Sequence, residues 1–85
     1  MTTNRDPRPE PTAAETYAAR RNDIARLFDV LEMELDKHDA QQKASPRDWG
    51  LAGSLGKVRS DLVNLVGFMS NMDPENVEAF LADAQ

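Results

Sequence analysis

Between residues 51 and 72 the apolar side chains fall at Leu51, Leu55, Val58, Leu62, Leu65, Met69 and Met72, with gaps that alternate four and three. That spacing returns every second step to one side of a helix, so the segment must be helical and must bury one long stripe. A milder version precedes it. Tyr17, Ile24, Leu31 and His38 recur every seven residues, and Arg21, Phe28, Leu35 and Gln42 each follow four residues later. Leu27, Val30 and Met33 add apolar surface outside this seam, which turns polar at both ends.

No glycine or proline interrupts residues 12–44, and Ala, Glu, Arg and Leu are frequent there. All four are good helix formers, so a helix is expected over about 13–43. Ser45-Pro46-Arg47-Asp48 then reads as a helix start, with Ser45 as cap, Pro46 at the first helical position and Asp48 favouring the positive end. The second helix is expected over about 46–71. Asp73-Pro74-Glu75 repeats the device, and Val77, Phe80, Leu81 and Ala84 follow at helical spacing. A short third helix over about 74–83 is marginal by itself and must dock or fray. No strand pattern and no internal repeat interrupts this order.

The fold class is therefore all-α. A connection of about two residues, Ala44–Ser45, makes the long helices antiparallel neighbours, ~45 Å and ~39 Å long at about 1.5 Å per residue. Residues 1–11 hold three prolines and little apolar character, and read as a disordered lead-in to a single helical domain over 12–85. The stripe on such a hairpin is wider than one facing helix covers, leaving Leu27, Val30, Val63, Val66 and Phe68 partly bare. A second hairpin related by a two-fold axis would cover them, giving a four-helix bundle. The competing arrangement is a monomeric three-helix bundle in which the third helix covers the stripe.

Trp49-Gly50-Leu51-Ala52-Gly53-Ser54-Leu55-Gly56-Lys57 invites a different reading, a phosphate-binding loop. The required pattern is G-x-x-x-x-G-K-S/T between a strand and a helix. Here five residues separate Gly50 from Gly56, Val58 follows the lysine, and no strand precedes. A dinucleotide fingerprint fails on the same missing strand. The helical reading places Gly53, Gly56, Ser60, Val63 and Gly67 in a second line, away from the leucine seam. Either another helix approaches closely there or the first turns fray, and the spacing alone leaves both open. Trp49, at the bend, is expected to plug the end of the core.

Composition narrows the chemistry. There are no cysteines, 10 Lys+Arg and 15 Asp+Glu, for a net charge of −5. Disulfides and thiolate chemistry are excluded, and a reducing, cytoplasmic setting fits. No leader pattern and no membrane span is expected. Residues 73–85 carry four acids and no base. An acidic chain argues against nucleic acid, since phosphate neutralisation supplies most of the non-specific affinity.

His38 is the one histidine, with Glu34 one turn before it. A di-metal bundle site wants Glu-x-x-His on paired helices, and residues 46–71 hold neither glutamate nor histidine. His38 is expected at a polar end of the core, and no metal, cofactor or catalytic residue is assigned. Ser45 and Ser54 lack a base, and thin helices offer little cleft. Arg20, Arg21 and Arg26, interleaved with Asp23 and Asp29, read as a salt-bridged surface. Met69 and Met72 read as core filling.

The expected function is a non-enzymatic protein-interaction or scaffold module. It would act through helical-bundle assembly, with itself as partner and a further protein partner unidentified. Gly53, Gly56, Ser60, Val63, Val66, Gly67, Phe80 and Leu81 are the candidate interaction residues. The alternatives are a dimeric regulator touching nucleic acid through Arg20, Arg21 and Arg26, and a metal-binding bundle.

Overall fold

The computed structural model describes residues 10–83, and these are all helical apart from short connections. Helix α1 is Ala13–Ala44, α2 is Trp49–Ser70 and α3 is Pro74–Asp83, with no strand among the described residues. Residues 1–9 of the expected lead-in lie outside the described part. Glu10 and Pro11 are exposed and non-helical. The described residues divide into two units, between Lys37 and His38.

In the first unit α1 opens with a reciprocal cap. The Glu15 amide donates to Thr12 Oγ1 at 3.1 Å, and the Thr12 amide donates to Glu15 Oε1 at 2.8 Å. This capping box satisfies two amides that a helix start otherwise leaves unpaired. Its signal, Thr12-Ala13-Ala14-Glu15, is plain in the sequence and marks the start of α1 independently of period and composition. No residue of α1 is buried. Leu31 and Leu35 are half-buried, whereas Leu27 and Phe28 are 62% and 58% exposed. On this helix Glu34 pairs with Lys37 at 2.9 Å.

In the second unit α2 starts three residues later than the Ser-Pro signal suggests. The Ser45 amide still donates to Gln41 O at 3.0 Å, so Ser45 belongs to the last turn of α1. Ser45 also lies four residues before Trp49, too far back to cap α2. Instead the Asp48 amide donates to Ser45 O at 3.1 Å, closing a four-residue turn with Pro46 in its second position, where proline's fixed φ fits. Asp48 is the cap, extended at φ −82°, ψ 101°, its carboxylate accepting from the Gly50 amide at 2.8 Å. Trp49 thereby becomes the first helical residue. Helical side chains lean toward the preceding turn, and here there is none. Trp49 is accordingly 86% exposed and does not plug a core.

The other end of α2 is closed by Asn71, in the left-handed region at φ 59°, ψ 31°. The Met72 amide donates to Gly67 O at 3.0 Å, the long bond of a Schellman-type ending. Asp73 accepts from the amides of Asn76 and Val77 at 2.9 and 3.2 Å and starts α3 where the sequence places it. Three residues of connection thus turn the chain back, and α3 docks on α2 rather than fraying. Val63 and Val77 are the buried apolar side chains of the described residues, 6% and 5% exposed.

Candidate functional site

The eight candidate residues separate into three groups. Val63 and Gly67 are buried on α2. Leu81 is half-buried on α3, one turn after Val77 and on the same face. Together with Val77 these form the α2–α3 seat. Gly67 is what permits it. A Cβ placed there would lie 2.8 Å from the Met72 carbonyl oxygen and 3.9 Å from Val77 Cγ2.

Gly53 and Gly56 belong to a second group. Both lie within α2, in continuous helix, and a Cβ on either would meet nothing within 4 Å. Neither close packing nor fraying describes them: the first turns are formed, and their small side is open. Ser60, between the groups, is exposed. The third group is Val66 and Phe80, 50% and 66% exposed, which the α2–α3 seat leaves uncovered.

An ion pair unforeseen from the sequence ties the seat together. Arg59 Nη1 donates to Glu78 Oε2 at 2.8 Å and Nη2 to Oε1 at 2.6 Å, a two-pronged guanidinium–carboxylate contact between α2 and α3. Hydrogen bonding from Arg59, with its charge adding, holds the Glu78 carboxyl below the usual carboxylate range. The same bond and charge push the Arg59 guanidinium up. Arg59 lies one turn before Val63 and Glu78 follows Val77, so the two meet only because α3 folds back on α2. A base and an acid therefore flank the seat in which Val63 and Val77 are buried.

The position of α3 fixes what it leaves uncovered. At about 100° per residue, Val63 and Gly67 lie roughly 120° and roughly 160° around α2 from the middle of the seam Leu51–Leu55–Val58–Leu62–Leu65–Met69. Leu51, Val58 and Leu62 are half-buried, while Leu55, Leu65 and Met69 are exposed. Phe68 is exposed as well. The third helix covers Val63 of the stripe and leaves Val66 and Phe68 bare.

Other candidates acquire less. Arg20, Arg21 and Arg26 are exposed, and no ion pair among the described residues joins them to Asp23 or Asp29. Helical rotation spreads the three arginines around the axis instead of gathering them on one face. His38 is half-buried, and its Nε2 has no hydrogen-bond partner among the described residues. No group of three His, Cys, Asp or Glu among those residues is arranged to hold a metal ion. Pro46, Arg47, Asp48, Trp49 and Ala52 line a shallow depression at the start of α2, whose one carboxylate is already engaged by the Gly50 amide. No described helix is long and apolar enough to cross a membrane. No protein-family model, no curated protein and no solved structure matches this chain.

Proposed function

We propose that this protein is a non-enzymatic interaction module that works by assembling a helical bundle, with a second copy of itself as first partner. The observation that carries this reading is α1: it carries a seven-residue repeat that is mostly apolar between Tyr17 and Leu35, and none of its residues is buried. Exposed apolar surface on that scale marks an interaction face. The same holds for the α2 seam at Leu55, Leu65 and Met69. In the proposed assembly α1 and α2 form an antiparallel hairpin, and two hairpins pack about a two-fold axis as a four-helix bundle. Helix α3 lies outside the bundle, because its seat is on the far side of α2 from the seam. Such a bundle needs no metal or cofactor to hold its core together, and cytoplasmic action suits a chain without cysteine.

Light scattering across a dilution series tests the proposal. A mass of twice the 9.5 kDa chain, held down to low-micromolar protein, is the expected result. A mass of one chain at every concentration would remove the homodimer and with it the bundle.

A further inference from the structure

Helix α3 is held to the rest of the chain by little. Its ten residues are too few to be stable alone in water. One side chain, Val77, is buried, Leu81 is half-buried, and the Arg59–Glu78 pair is about half exposed on both sides. By contrast α2 does not depend on α3 for its own ending. Its Gly67 carbonyl accepts from both the Asn71 and the Met72 amides, which come from the connection itself. Segments with few buried contacts and a self-contained neighbour are those that open locally before a protein unfolds.

From this asymmetry we infer that α3 is a clasp: Pro74–Asp83 swings off α2 as one piece while α2 stays folded, and the Arg59–Glu78 pair sets how often it does so. Opening has a defined consequence. It uncovers Val63 and Gly67, which continue the line of Gly53, Gly56 and Ser60 on the side of α2 that is already open. The closed clasp divides that line and the open one makes it continuous. The α2 seam, on the opposite side, is unchanged by either state, so the clasp stands whether or not the bundle proposed above forms.

Native-state amide hydrogen exchange on the full chain tests this. The α3 amides from Val77 to Asp83 are expected to exchange at least about tenfold faster than those of Leu62–Val66, reporting an opening that leaves α2 intact. Glu78→Gln is expected to speed α3 exchange by about two- to fivefold and leave the Leu62–Val66 amides unmoved, in line with a partly exposed ion pair. The exchanged pair Arg59→Glu/Glu78→Arg should return α3 to the wild-type rate. One common rate for α2 and α3 would overturn the clasp. So would a Glu78→Gln variant that accelerates both helices alike, or one that leaves α3 unchanged.

Discussion

Gly67 and the Met72 carbonyl oxygen stand so close that a Cβ on Gly67 would sit 2.8 Å from that oxygen. The approach is made by the chain itself as it leaves α2 through Asn71, and backbone cannot yield as a side-chain tip can. Gly67→Ala should therefore destabilise the α2–α3 unit by about 1–3 kcal/mol, the usual range for overfilling a packed site. Gly53→Ala and Gly56→Ala should do the reverse. Both are helical and meet nothing, so each should stabilise by about 0.5–1 kcal/mol through helix propensity alone. Chemical denaturation of the three variants separates the cases by sign.

Val77 and Phe80 are neighbours on α3 with opposite roles. Val77→Ala removes two buried carbon groups and should cost about 1.5 kcal/mol, at about 0.8 kcal/mol each. Phe80 is 66% exposed, and Phe80→Ala should stay within about 0.5 kcal/mol of wild type. Equal losses in a urea melt would mean that α3 is turned differently on α2.

These two glycine classes and two α3 residues also show what the sequence could and could not reveal. The bounds of α1 and α3 follow from the stretch free of glycine and proline and from Asp73-Pro74, because local sequence decides them. The start of α2 did not follow. Ser45 and Asp48 are both good caps, and choosing between them requires knowing that Ser45 is still bonded to Gln41 in the helix before. The small-residue line was legible as a line. Which part of it is occupied was not, since that depends on a three-residue connection that delivers Val77 to Gly67 and stops well short of Gly56. The Arg59–Glu78 pair, nineteen positions apart, is invisible until α3 is known to fold back. Trp49 misled because a large aromatic at a bend suggests a plug, while its place as first helical residue leaves it no turn to lean on.

Acid should loosen α3 in a defined window. The Arg59 guanidinium, through its hydrogen bonds and charge, holds the Glu78 carboxyl below the usual carboxylate range. A carboxyl depressed in the folded state binds its proton more readily once released, so its contribution is complete above the unfolded value. It is lost as pH falls through the lower folded value. The stability difference between wild type and Glu78→Gln should be constant near neutral pH and shrink toward zero in acid below that window. A difference that persists unchanged in acid would assign the effect to something other than the ionised pair.

Thr12→Ala should shorten α1 from its start. It removes the Oγ1 that accepts from the Glu15 amide and should cost about 1 kcal/mol of helix stability, typical of a lost cap. Circular dichroism should show a small loss of helix, and exchange at Glu15 and Thr16 should rise while amides near Leu31 do not change. Rescue by Thr12→Ser, which restores an acceptor, ties the loss to the hydroxyl and not to the methyl group.

The face used for assembly can be located with two charges. Leu65 belongs to the α2 seam and is 57% exposed in the single chain, so Leu65→Asp should leave the α2–α3 unit folded. In the proposed bundle it would bury an unpaired carboxylate, weakening association at least tenfold, or about 1.4 kcal/mol and more. Ser60→Asp places the same charge on the small-residue side. If the seam is the interface, light scattering should find Leu65→Asp monomeric at a concentration where wild type and Ser60→Asp are dimeric. The opposite pattern would move the interface to the glycine line, where α3 would then have to make way. Two variants with wild-type mass would leave neither side of α2 in the interface and would end the bundle as drawn.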